Sequence, residues 1–182
     1  MQYKLFNIVL GDAEGIQKMS LVEMPAVESD FLAFDKQQPF KFSIDEEKRL
    51  VLGVALRADF PIYRYDSRLG EYYVNFSSEV IEELYQKFLI DGHFADVNLE
   101  HSKDIGGVHL VQSFIKDPEK GIDPVGFDDI ARGSWFVMYK IDNEEVWKEV
   151  KEGKFKGFSV EGMFEMQPQE ETIDVLIDEM LK

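Results

Sequence analysis

Extended runs of four to eight residues, punctuated by Gly, Asp and Pro, succeed one another along most of the 182 residues, and helical spacing interrupts them at only a few places. A chain written this way must bury strands against strands. The runs fall at 3–10, 19–22, 31–34, 40–44, 49–56, 61–65, 71–76, 96–101, 108–115 and 134–141. Residues 49–56 are almost continuously apolar, as in a strand buried on both faces or one bulged at Gly53. Residues 66–70 read as a five-residue hairpin loop, and residues 104–107 as a turn.

Helices are expected where the apolar period lengthens. Val80, Ile81, Leu84, Tyr85, Phe88 and Leu89 recur at helical spacing behind Ser77 or Ser78 as N-cap, with Glu79 in the first turn and a stop near Asp91-Gly92. A second helix begins at Asp142 or Asn143, where Asp142-x-x-Glu145 has capping-box spacing. It carries Val146, Trp147 and Val150 inward and stops at Gly153. After Pro168 an acidic stretch bears an apolar stripe of Ile173, Leu176, Ile177 and Met180. The sequence therefore predicts a β-rich α+β domain with two or three helices over residues 1–166, followed by an acidic amphipathic helical tail over 167–182.

A net charge of −16, from 36 acidic against 20 basic side chains, argues against nucleic acid as a partner and favours protein, because phosphate binding rests on clustered Lys and Arg. Fifteen Phe and seven Tyr suit a β-rich core. The absence of cysteine removes disulfides, thiolate metal sites and cysteine nucleophiles. The apolar run near the N-terminus is too short to span a bilayer and lacks a cleavage pattern, so neither membrane insertion nor secretion is expected.

Chemistry concentrates in Lys156-Gly-Phe-Ser-Val-Glu-Gly162, which places one serine between glycines inside a strand. Alternation puts Phe158, Val160 and Phe164 on one face and Gly157, Ser159, Glu161 and Met163 on the other. Glycine weakens a strand unless a bulge or a close backbone approach needs the missing side chain. Ser159 is thus the first candidate nucleophile, against the simpler reading of a surface serine. A serine hydroxyl needs an adjacent base, and imidazole, with a reference pKa of about 6.5, is the ordinary one. Of the three histidines, His93 reads as a loop residue and His109 as a structural strand residue. His101 ends Val97-Asn-Leu-Glu-His101 beside a Ser-Lys-Asp loop, where it is either a satisfied core histidine or a partly desolvated base. Ser159 and His101 form a pair only if the fold sets their strands side by side. The even spacing of the histidines matches no metal-ligand pattern, and no cofactor or metal is implied.

Six motifs in order, Pro61-Ile-Tyr-Arg-Tyr65, Tyr72-Tyr-Val-Asn-Phe-Ser77, Val97-Asn-Leu-Glu-His101, Gly133-Ser-Trp135, Glu145-Val-Trp-Lys-Glu-Val150 and Gly157-Phe-Ser-Val-Glu-Gly162, together resemble the XkdF-type phage serine proteases. These are a branch of the prohead (capsid maturation) proteases. The resemblance implies a fold similar to the herpesvirus assemblins, a small, mostly antiparallel β-barrel surrounded by helices with serine and histidine on neighbouring strands. It makes residues 1–166 a serine protease domain with Ser159 and His101 as catalytic residues. It also implies endoproteolysis of capsid and scaffold proteins, and of the protease itself, inside the prohead in the host cytoplasm. Oligomeric state, including a homo-oligomer, stays open.

One segment departs from the pattern. Met19-Ser-Leu-Val-Glu-Met-Pro-Ala26 resembles a stretch that other prohead proteases carry after the catalytic serine, preceded there by a glutamate; here it comes first, and Lys18 stands at the glutamate position. That order suggests a permuted strand and opens the question of the third catalytic residue. Glu161 shares the face of Ser159 about 6.5–7 Å along the strand. Glu100 points away from His101, and a histidine in the role would be His109 or His93. Ser159, His101 and Glu161 are therefore the expected catalytic set, with a catalytically inactive virion or scaffold-associated module of the same fold as the alternative. No residue pattern assigns the oxyanion donors.

Overall fold

The computed structural model describes residues 4–11, 15–22 and 42–169. Its strands are β1 (Lys4–Val9), β2 (Gly15–Val22), β3 (Ser43–Asp45), β4 (Leu50–Leu56), β5 (Ile62–Asp66), β6 (Gly70–Asn75), β7 (Val97–Leu99), β8 (Lys103–Asp104), β9 (Val108–Ile115), β10 (Trp135–Ile141), β11 (Gly157–Met163) and β12 (Glu165–Pro168). The helices are α1 (Ser78–Ile90) and α2 (Glu144–Lys151), with single 3-10 turns at His93–Ala95 and Pro118–Lys120.

The strands make three four-stranded sheets, ordered β12-β1-β6-β5, β3-β4-β10-β9 and β11-β2-β7-β8. The α+β class agrees with expectation, but the described strands form open sheets and no closed barrel. Two parallel pairings, β1 with β6 and β2 with β7, interrupt an otherwise antiparallel arrangement. The third sheet carries the candidate site, and β2 is one of its two inner strands, paired with β11 along one edge and with β7 along the other.

Local chemistry explains the helices. Ser77 caps α1 by accepting from the Val80 N–H, and Ile81, Leu84 and Phe88 are fully buried on its inner face. The N-cap of α2 is Asn143, whose side chain accepts from the Glu145 and Val146 N–H groups, so the expected Asp142 capping box is not used. Asp142 instead lies near Lys140 and His109.

Phe158 fastens the site strand to the second sheet. Its ring packs against Tyr139 and Phe42, at centroid distances of 5.2 and 4.8 Å. A Cβ on Gly53 would come within 2.9 Å of Phe42 and 3.0 Å of Phe158. Gly53 is therefore a place of close approach. Of the two readings of this strand, burial on both faces holds, with Val51 and Val54 buried in separate clusters, and the bulge lies near Ala55, where the register moves from Trp135↔Leu56 to Phe136↔Val54.

Three other readings change in three dimensions. The strand expected over 96–101 stops at Leu99, because Glu100 and His101 both take positive φ, 51° and 55°. Lys103 and Asp104 pair back onto Leu99 and Asn98 as β8, which takes in the first residue of the turn expected over 104–107. Residues 165–168 pair with β1, so a strand spans the expected boundary between domain and tail. The run at 31–34, residues 40–41 and the tail beyond 169 lie outside the described residues.

Gly162 sits at a second close approach. The register slips between Glu161↔Lys18 and Gly162↔Ile16, leaving Gln17 as the extra residue of a bulge, and a Cβ on Gly162 would fall 2.2 Å from the Gly15 carbonyl oxygen. Backbone cannot yield as a side chain tip does. Gly162→Ala should lower unfolding stability by about 2 kcal/mol or more, measurable by urea denaturation; an unchanged midpoint would mean that the bulge relaxes freely.

Candidate active site

The third sheet has two chemically distinct faces. On β2, Met19 and Leu21 are fully buried, and they stand beside Val97 and Leu99 of β7 and Val160 and Phe158 of β11. Alternation sends the intervening residues the other way. Lys18, Ser20, Asn98, Ser159 and Glu161 therefore share one polar face.

Register aligns them. Ser20 stands directly opposite Ser159 on one side and beside Asn98 on the other, while Lys18 stands opposite Glu161. The Glu100-His101 turn then folds the imidazole back over this face. Its Leu99 carbonyl accepts from the Ser102 N–H at 3.0 Å, and two consecutive positive φ values are what a type I′ hairpin turn requires. Glycine or asparagine usually occupies such positions. Holding Glu and His there costs on the order of 1–3 kcal/mol each, the kind of strain that gathers at functional sites.

The turn brings His101 Nδ1 to 3.0 Å from Glu161 Oε1 and 2.9 Å from Ser20 Oγ. Ser20 Oγ is also 2.6 Å from Asn98 Oδ1 and 3.0 Å from Glu161 Oε1, and Asn98 Nδ2 donates to Glu161 Oε1. Ser20 and Asn98 are buried, 0% and 2% exposed, whereas the side chains of His101 and Glu161 are 40% and 34% exposed. The network is covered at its base and open at its top.

The structure thus joins two of the three expected residues, His101 and Glu161, and places the third differently. β2 lies between the strand of Ser159 and the strand that leads to His101, so the two are not on neighbouring strands. Opposed residues of an antiparallel pair share a face with Cβ atoms about 4.5–5.5 Å apart, which sets Ser159 beside Ser20 and its imidazole partner. Among the described residues Ser159 makes no hydrogen bond to His101. Ser159 is not the surface serine of the simpler reading; it is 7% exposed.

Ser20 and Asn98 were missed by sequence reasoning. Ser20 lay in the Met19-Ser-Leu-Val segment already singled out, and its placement needed the pairing of β2 with β11. The other histidines are engaged elsewhere: His93 Nδ1 lies 3.1 Å from Asp96, and His109, in the second sheet, lies 3.8 Å from Asp142. Neither approaches His101. Lys156 does not pair with Glu161; the cation opposite Glu161 is Lys18, which binds Asp104 at 2.6 Å.

Electrostatics favour a charged Glu161. Partial burial pushes its carboxyl up, but hydrogen bonds from Asn98 and His101, together with the His101 charge, outweigh that and hold it below the usual 4.5. Lys18 is raised chiefly by its hydrogen bond to Asp104, with the Glu161 charge contributing. No group of three or more His, Cys, Asp or Glu suited to a metal occurs among the described residues. Among them, too, no helix is long and apolar enough to cross a membrane.

Comparison with known proteins points to one family. Residues 39–167 match the family described as "Putative phage serine protease XkdF". The chain is 27% identical over 164 residues to "Phage-like element PBSX protein XkdF" of Bacillus subtilis (strain 168), an alignment covering 85% of this chain and 54% of that relative. The chain therefore spans about half the length of the curated relative it matches. No solved structure matches. Asn98, His101, Ser159 and Glu161 fall inside the matched residues, and Ser20 falls outside them.

A depressed carboxyl has a thermodynamic signature. Because the folded-state pKa of Glu161 lies below its unfolded value, its contribution to stability is present above about pH 4.5 and is lost as pH falls through the folded value. Glu161→Gln should flatten the loss of stability on acidification in that window, read from denaturation midpoints between pH 6 and about pH 3. Parallel curves for the two proteins would show that the network gives the ionised form no advantage.

Proposed function

Since the chain belongs to the family described as "Putative phage serine protease XkdF", we propose that it is a serine endopeptidase in which Ser159 attacks, His101 transfers the proton and Glu161 orients the imidazole. The observation that carries this reading is the His101 Nδ1 to Glu161 Oε1 contact of 3.0 Å on the face that Ser159 shares. A carboxylate on Nδ1 holds the proton there and leaves Nε2 as the basic nitrogen, the division of labour that acyl transfer by serine requires.

In the reaction, the Ser159 oxygen bonds to the carbonyl carbon of the scissile peptide as its proton passes to Nε2. Collapse of the tetrahedral intermediate breaks the C–N bond, and the leaving amine takes that proton. Water then gives its proton to Nε2 and bonds to the acyl carbon; collapse breaks the bond from that carbon to the Ser159 oxygen, which takes the proton back from Nε2 as the second product leaves. Glu161 stays ionised and stabilises the imidazolium. The phage family and the phage-like element of the relative support the finer reading, cleavage of capsid and scaffold propeptides within the assembling prohead.

A second reading makes Ser20 the nucleophile, because it is the serine in hydrogen-bond contact with His101. Against it, Ser20 is fully buried, and its contact is to Nδ1, the nitrogen that Glu161 also holds. One nitrogen cannot both donate to Glu161 and accept the proton of an attacking serine.

A fluorophosphonate probe tests the assignment without a known substrate, since it traps only an activated serine. Mass spectrometry should find the adduct on Ser159 and none on Ser159→Ala; an adduct on Ser20 would transfer the role, and no adduct on either would favour the inactive module. His109→Gln should label at the parent rate. Glu161→Gln should label more slowly by about 10²-fold or more, as loss of the orienting carboxylate does in triads. A normal rate would remove Glu161 from the catalytic set.

A further inference from the structure

The hydroxyl proton of Ser20 has three acceptors within reach: Asn98 Oδ1 at 2.6 Å, His101 Nδ1 at 2.9 Å and Glu161 Oε1 at 3.0 Å. A hydroxyl can satisfy one of them. The choice matters, because the other two are the ends of the His101–Glu161 bond.

Donor and acceptor counting decides it. Ionised Glu161 only accepts, so the Asn98 amide must turn its NH₂ toward Oε1 and its oxygen toward Ser20. Asn98 Oδ1, the nearest acceptor, then takes the Ser20 proton, and Ser20 offers the imidazole only lone pairs. Nδ1 must consequently carry the proton it shares with Glu161. We infer that Asn98 is a positioning residue, which captures the Ser20 hydroxyl proton so that Ser20 cannot compete for Glu161 or invert the His101 tautomer. Its consequence for turnover rests on the serine-peptidase reading, whereas the proton arrangement does not.

Removing Asn98 frees that proton. In Asn98→Leu the Ser20 hydroxyl turns to Oε1 and displaces the imidazole, or to Nδ1 and drives the ring proton to Nε2. Removing the hydroxyl as well, in Asn98→Leu with Ser20→Ala, eliminates the competitor and returns Glu161 to His101. A purely structural Asn98 predicts the opposite, since a second deletion in a buried network adds damage.

The experiment is ring ¹⁵N and low-field ¹H NMR on the full chain carrying His93→Gln and His109→Gln, so that His101 is its one imidazole. The parent should show a low-field proton attached to Nδ1. Asn98→Leu should lose that resonance or move the proton to Nε2, and the added Ser20→Ala should bring it back. Asn98→Asp is the less disruptive second variant. Its carboxyl oxygen accepts the Ser20 proton as the amide oxygen does, so the Nδ1 resonance should persist near neutral pH, and its loss there would count against capture of that proton. An unshifted Nδ1 proton in Asn98→Leu, or no recovery in the double variant, overturns the inference. Fluorophosphonate labelling of Ser159 should slow by about 10²- to 10⁴-fold in Asn98→Leu and recover at least tenfold in the double variant. If the parent itself is not labelled, the peptidase reading fails while the resonances still judge Asn98.

Discussion

Everything in the candidate site depends on β2 being paired along both edges. Its antiparallel contact with β11 and parallel contact with β7 set Ser159, Ser20 and Asn98 in one row across the sheet. Met19, Leu21, Val97 and Phe158 bind the opposite face into the core, so a shift of one residue in either pairing would turn apolar side chains outward and scatter the polar row. Burial of the core face thus fixes the site's register. The chemistry on one side is held in place by packing on the other.

Two local devices complete the arrangement. The strained Glu100-His101 turn reverses the chain so that the imidazole lies over the sheet, and the bulge at Gln17 with Gly162 tightens β2 against β11 just past Glu161. Bulges beside functional residues commonly re-aim side chains. The buried part of the network is internally satisfied, as a group of this polarity must be to avoid a desolvation penalty. Lys18 and Glu161 face each other across the same strand pair, so the cation at the position where related sequences were expected to carry a carboxylate has a carboxylate directly opposite it.

Much of the secondary structure was legible because its causes are local. Ser77 and the apolar period behind it define α1, and the extended run at 108–115 forms β9 over the same span. The pairing of Ser159 with Glu161 on one face followed from the two-residue period alone. Where local rules misled, another group took the role. Of the two expected caps Asn143 serves and the capping-box spacing of Asp142 goes unused, and Gly53 answers a ring packed from another sheet rather than a bulge. The turn at Glu100-His101 lacked the glycine or asparagine that signals such turns, so the strand was read two residues too long.

The sequence by itself determined the α+β class, the candidate residues Ser159, His101 and Glu161, and the family through motifs spread along the chain. Only the tertiary structure decided who touches whom. Ser20 meets His101 across 81 residues and Glu161 across 141, and no periodicity within a segment encodes which distant strand will lie beside it. Pairing is chosen by the joint burial of all three sheets, and that choice put Ser20, on β2, between the strand of Ser159 and the strand that leads to His101.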